Sequence, residues 1–529
     1  MNQYSKSLIN NLLDGGKPAD SEKSMDWIIF VSALISGIIA HGYMMTNKII
    51  EGDEVYYAFG LGSTFPSSRW VLGLLDVYGS KFISFFSNPL FNGLLSILFI
   101  ALTCMVLCRA LNIKNRISAV ALSVTMVVFP VITGIFLCMF TAPIYQVALL
   151  MSVTAMYILK KHVTIRKIVL SSFLIALSLG IYQAYISVSM CVALLILFVL
   201  LLNNEEVKDV AKKGLQMVVV GVLGLAEYFL LNKFFMSVYD VTPIDYKGMA
   251  TIGQLDISRI PALMIHSYKR FFTDPSWNGI NTFPVVKIFI FIIAIGTAYL
   301  FMTKMKPVLK NKIAAIVVII VFPLFANSVY LMSTDPGYYV TNLMQYALVM
   351  VFCIPAIIYD RVVTEGVSEK CSITKSAVLL LIIGMILVNF TYAYIDNSCY
   401  LKATYIQKQA DSYYTSLIST IKNTEGYKDE YPVAFIGEFD TQDKTIAPNG
   451  RMSTIHITGY LTHSIAVQLS YRPTEYMKLN CGFAPVLLED TKDIEKSREF
   501  KEMPVYPDYG SVKIIDNTVV VKLLPLEEE

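Results

Sequence analysis

IVLSSFLIALSLGIYQAYISVSMCVALLILFVLLL, Ile168–Leu202, is an apolar run of about 35 residues with no charged side chain. One helical crossing of a bilayer takes about 20 mostly apolar residues, so the run exceeds one span and is marginal for two. It makes two only if GIYQAYIS, Gly180–Ser187, turns the chain between them, and with that turn the topology closes. Working outward, similar runs lie at 27–46, 89–109, 117–140, 142–159, 168–182, 184–202, 215–236, 284–303, 313–332, 342–359 and 376–396, which predicts about eleven spans.

Composition agrees with a polytopic α-helical membrane protein. The 529 residues are 55% hydrophobic and 16% charged, against about a quarter charged in soluble domains. The net charge of +3 is small and scattered, which excludes the basic stripe that a nucleic-acid partner requires. The eight cysteines form no CxxC and no Cys/His cluster, so they offer no metal-ligand spacing. Residues 1–26 show no basic stretch followed by an apolar core, so no signal peptide is expected and they are assigned as a cytoplasmic tail.

Orientation follows from the short connections, because lysine and arginine are retained on the cytoplasmic side. Arg109, Lys114 and Arg116 fill one loop; Lys160, Lys161, Arg166 and Lys167 fill the next but one; Lys208, Lys212 and Lys213, then Lys304 to Lys312, then Arg361, Lys370 and Lys375 continue the alternation. The intervening connections Phe140–Pro143, Tyr182–Tyr185 and Ser333–Thr341 carry no lysine or arginine. The amino terminus is therefore expected inside, and the long segments 47–88, 239–283 and 397–529 outside a bacterial plasma membrane. The expected organisation is a membrane core over 27–396 and an extracytoplasmic α/β domain over 397–529. In that domain Leu401–Asn423 has helical periodicity, PVAFIGEF (Pro432–Phe439) reads as a buried strand, and Ser511–Leu524 reads as a hairpin turning at Asp516 and Asn517.

The first outer segment opens EGDEVYYAFG, Glu51–Gly60, with three carboxylates, Glu51, Asp53 and Glu54, within four positions. It continues GLGSTFPSSRW to Arg69 and Trp70. A carboxylate can take a proton from a sugar hydroxyl, and a guanidinium can hold a phosphate bidentately as it departs. Acid and arginine at a membrane surface suit a phosphate-linked lipid donor. Trp70 serves equally well as an interfacial anchor or a sugar contact.

An acidic first outer loop in this position resembles the C-type (GT-C) membrane glycosyltransferases, and EGDE satisfies both their Glu-x-Asp and Asp-Glu patterns. Together with the SRW element, the SLGIYQAYIS run and the tail entry YPVAFIGEF, it resembles more narrowly the type II glucosyltransferase membrane family, which includes O-antigen serotype-converting enzymes. The resemblance covers nearly the whole chain in layout. Asp53–Glu54 departs from that family's paired-Asp form, which leaves either residue as the base. The resemblance implies inverting transfer of a hexose from a polyprenyl-phosphate sugar to a hydroxyl of a cell-envelope glycan, outside the membrane. Asp53 is the first choice of general base, Glu54 its orienting partner or alternative, and Arg69 the donor-phosphate ligand. Clustered carboxylates also suit a hard cation, but nothing in the spacing requires one.

Further candidates each carry a plainer alternative. Tyr182, Gln183 and Tyr185 can hydrogen-bond a sugar or simply pack at the turn. In HSYKRFFTDPSWNG, Lys269 and Arg270 can add phosphate contacts and Asp274 and Trp277 can touch an acceptor, or all can be solvated loop residues. Asp335 and Tyr338 in STDPGYY can rim a cavity or turn the chain. His456 and His463 lack a third nearby ligand. Glu227, late in an apolar run, is a functional candidate or snorkels to the interface. Two other functions compete. A transporter of lipid-linked sugars would place charges within several spans, which here look almost charge-free apart from Glu227; an envelope scaffold would not need its acidic cluster for sugar transfer.

Overall fold

The computed structural model describes residues 22–50, 52–82, 85–242, 244, 256–273, 284–332, 340–364, 372–439 and 472–525. Its helices in chain order are α1 (Glu22–Thr46), α2 (Gly52–Tyr57), α3 (Trp70–Leu74, prolonged by a wide turn to Gly79), α4 (Pro89–Leu111), α5 (Arg116–Val128), α6 (Val131–Leu137), α7 (Ala142–Leu159), α8 (Ile165–Ile181), α9 (Ile186–Leu202), α10 (Val207–Val238), α11 (Ile260–Thr273), α12 (Val285–Thr303), α13 (Leu309–Ala326), α14 (Cys353–Thr364), α15 (Ser372–Lys422), α16 (Pro473–Cys481), α17 (Lys492–Lys496) and α18 (Arg498–Glu502). Strands β1 (Val433–Ile436), β2 (Val512–Ile515) and β3 (Thr518–Lys522) form one small sheet. The described chain divides into two compact units: one holds the residues up to Lys48 and Phe59–Ser398, the other Ile49–Ala58 and the residues from Cys399 onward.

The first unit is a multi-pass membrane bundle. Among the described residues nine helices are long and apolar enough to cross a membrane, and α5 with α6, bent by 48°, can supply a tenth crossing. The bend has a local cause: Phe129, preceding Pro130, takes extended dihedrals (φ −65°, ψ 126°), as the proline ring demands of its predecessor. The eleventh expected segment is α8, whose 17 residues make about 25 Å of helix against a hydrocarbon core of about 30 Å. The long apolar run is broken at Tyr182 (φ −151°, ψ 104°), and Gln183–Tyr185 form a short 3₁₀ turn before α9. Helix starts are set by side chains that accept otherwise orphaned amide protons: Asn88 from Phe91, Asn115 from Ile117 and Ser118, Thr164 from Lys167.

More charge lies inside the bundle than the sequence reading allowed. His41 of α1 and Asp396 of α15 are both fully buried, 3.9 Å apart, and the His41 ring nitrogen lies 2.9 Å from the Val127 carbonyl. Asp360 accepts from the amides of Lys114 and Asn115, tying α14 to the start of α5. Glu227 accepts from the Ser172 hydroxyl at 2.8 Å.

The second unit packs the end of α15 and α16 against the sheet, whose order is β1-β3-β2 with β1–β3 parallel and β2–β3 antiparallel. Asp516 and Asn517 both take left-handed dihedrals (φ 46° and 59°), the conformation a two-residue hairpin turn needs and one that Asp and Asn tolerate. The core joins Tyr414, Leu417 and Ile421 of α15 to Val433, Val519, Val521 and Tyr476.

Candidate active site

The acidic segment is built into the second unit. Ile50 and Val55 are buried in its core beside Tyr414 and Val519, and the Ile50 amide donates to Gln407 Oε1 at 3.0 Å. The intervening turn of α2 carries Asp53 and Glu54 in its first turn, where a helix end favours negative charge. Glu54 is fully buried, whereas Asp53 is half-buried. Two residues on, the Arg472 guanidinium stands 4.0 Å over the Tyr56 ring and clasps α2 to the start of α16. Asp53 is thus the carboxylate with solvent access, and Glu54 the one with packed surroundings. Glu51 lies outside the described residues.

Arg69 belongs to the first unit and ends a tight turn. Phe65–Ser67 form a 3₁₀ turn, Ser68 takes left-handed dihedrals (φ 57°, ψ 30°), and the Arg69 amide donates back to Thr64. The guanidinium lies 5.8 Å from the Tyr145 ring centre and 5.6 Å from that of Tyr182, and these rings stack on each other at 4.3 Å. Half-exposed and flanked by two aromatic faces, the cation is held in a fixed orientation at the head of the turn. Beside it Tyr182 packs edge-on to Tyr185 at 5.1 Å. The Tyr182 and Tyr185 hydroxyls and both amide atoms of Gln146 are buried without a hydrogen-bond partner among the described residues.

The other predicted residues are placed as follows. Trp70 is 3% exposed and stacks on Phe235 at 5.3 Å, so its indole is a packing element with no open face for a sugar or a headgroup. Gln183 spends its amide N–H groups on the Ser67 and Ser68 carbonyls and the Tyr228 hydroxyl. Lys269 and Arg270 sit on α11, Lys269 exposed and Arg270 donating to Tyr330 at 3.2 Å. That helix is moored by reciprocal hydrogen bonds between Ser267 and Asn327. Asp274, Trp277, Asp335, Tyr338, His456 and His463 lie outside the described residues.

The family described as Glucosyl transferase GtrII matches residues 42–354, more than half of the chain. The chain belongs to this family. No curated protein matches it. GtrII membership makes the protein a glycosyltransferase, which decides for sugar transfer over transport or scaffolding, and bears out the resemblance to type II glucosyltransferases. The matched segment contains α2, the Arg69 turn, the tyrosine pair and Gln183, while the second unit from Cys399 onward lies beyond it. Sequence reasoning on this GtrII chain overlooked Tyr145, Gln146 and Tyr228. The first two follow the proline-bearing start of α7 (APIYQ), where a tyrosine and an amide at the head of an apolar helix were a usable signal.

Proposed function

We propose that this GtrII chain transfers glucose from a polyprenyl-phosphate donor to a hydroxyl of a cell-envelope glycan, such as an O-antigen, at the outer face of a bacterial plasma membrane. The observation that carries the reading is Arg69, half-exposed against the stacked rings of Tyr145 and Tyr182, a cation prepared for phosphate. The distribution of lysine and arginine over the short connections supports an inside amino terminus and an outer location for the acidic segment.

In this reading Asp53 takes the proton of the acceptor hydroxyl as its oxygen attacks the anomeric carbon. The bond from that carbon to the phosphate oxygen breaks, its electron pair stays on the phosphate, and the configuration inverts. Arg69 holds the charge that develops on the departing polyprenyl phosphate, with Lys269 and Arg270 as further cations for the lipid phosphate. Glu54, buried behind Asp53 in the same turn, fixes the orientation of α2. Membrane lipid is the surrounding solvent, and no nucleotide sugar takes part.

The test is purified protein in detergent supplied with glycan from a strain lacking it. The reading requires transfer from polyprenyl-phosphate glucose, none from a nucleotide sugar, and a product of opposite anomeric configuration. Transfer from the nucleotide sugar, or retention, overturns it.

A further inference from the structure

Ser68, the residue before Arg69, is the origin of this inference. It holds a left-handed conformation (φ 57°, ψ 30°) without being glycine, an arrangement that persists only where surrounding contacts over-determine it. Its carbonyl receives two hydrogen bonds from distant parts of the bundle, one from Gln183 Nε2 at 3.2 Å and one from the Tyr228 hydroxyl at 3.0 Å. Gln183 also donates to the Ser67 carbonyl at 2.9 Å and to the Tyr228 oxygen at 3.2 Å. Both side chains are buried, Gln183 at 7% and Tyr228 at 4% exposure, so these bonds face little competition from water.

We infer that Gln183 and Tyr228 are positioning residues that lock the Ser67–Ser68 turn and thereby aim Arg69 at the donor phosphate. This rests on the phosphate role of Arg69 proposed above and adds the device that makes it directional. The chain geometry supports it: Tyr182, whose ring flanks the guanidinium, immediately precedes Gln183, whose amide fixes the backbone behind that guanidinium. One turn between α8 and α9 therefore sets both the side chain and the main chain of Arg69. A rival role exists for the same pair, because they also line a cavity of about 480 Å³ with Ser328 and apolar residues of α9, α10 and α13. There they would touch substrate directly and act independently of Arg69.

A double-mutant cycle separates these roles. Tyr228→Phe and, independently, Gln183→Leu are made in the wild type and in Arg69→Lys, and kcat and KM are measured with polyprenyl-phosphate glucose, thermal midpoints confirming the fold. The lock predicts that each substitution lowers kcat by about tenfold or more in the wild type and by less than about twofold in Arg69→Lys, whose aim is already lost. Equal losses in both backgrounds mean direct contact or a general packing role and overturn the inference. If Arg69→Lys is impaired while Tyr228→Phe and Gln183→Leu match the wild type, the inference falls and the phosphate reading stands. If Arg69→Lys transfers as well as the wild type, the phosphate reading itself falls, and the lock with it.

Discussion

Gly180 lies directly beneath Trp70: a Cβ at that position would come within 2.7 Å of the indole Cε2 and 2.6 Å of Val71 Cγ2. The contact brings the start of α3 against the end of α8, and Trp70 is the residue after Arg69. Replacing Gly180 by valine must push Trp70 off Phe235 and drag the arginine turn with it. Gly180→Val is expected to cost about 1–3 kcal/mol of stability and to lower transfer more than tenfold (roughly), read by thermal unfolding and by initial rates of glucose transfer.

The tyrosine cradle makes a separate prediction. Tyr145→Leu keeps the site apolar but removes one of the two aromatic faces beside Arg69. A partly desolvated cation–π contact contributes about 1 kcal/mol, so apparent donor affinity should fall about fivefold. Competition by polyprenyl phosphate in the transfer assay measures it, and an unchanged inhibition constant would show that the cradle does not orient the cation.

The acidic helix is predicted to share the stability of the second unit. Val55 is 6% exposed within the core formed by Tyr414, Val519 and Val521. Val55→Ala should destabilise that unit by about 2 kcal/mol. Hydrogen exchange at β1 and β3 should accelerate accordingly while the bundle helices keep their protection.

Lys160, at the end of α7, donates to the Arg109 carbonyl and to Asn112. Burial, reinforced by neighbouring Lys161, pulls it down to about 8 from 10.5. The charged form is the disfavoured one in the folded protein, so between these values the unfolded chain holds a proton the folded chain has released. Stability contributed at this site therefore rises with pH from about 8 towards 10.5. Amine acylation followed by mass spectrometry should give half-maximal labelling of Lys160 near pH 8, well before the exposed lysines.

Much of this architecture was legible in the chain. Apolar run lengths gave the bundle, the Asp516–Asn517 pair gave the hairpin turn, and GIYQAYIS gave the break at Tyr182, because each depends on neighbours in sequence. What was not legible depends on distant partners. The placement of α2 in the second unit rests on contacts such as Ile50 with Gln407, 357 positions away. Gln183 stayed open between a sugar contact and a packed amide because its acceptors, the carbonyls of Ser67 and Ser68, lie more than a hundred residues earlier. Trp70 read equally as an interfacial anchor or a sugar contact because Phe235 and Gly180, which enclose it, are equally remote. The fully buried His41 and Asp396 escaped notice because each stands near the edge of its apolar run, where a polar residue reads as solvated.

The central claim is that Asp53 accepts the proton of the attacking hydroxyl. The measurement that tests it most directly is the single-turnover rate of glucose transfer from polyprenyl-phosphate glucose to glycan acceptor by wild type and Asp53→Asn, with donor binding and thermal midpoint measured on the same samples. The account predicts a loss of about a hundredfold or more in rate with donor binding intact. Transfer by Asp53→Asn at the wild-type rate would contradict it.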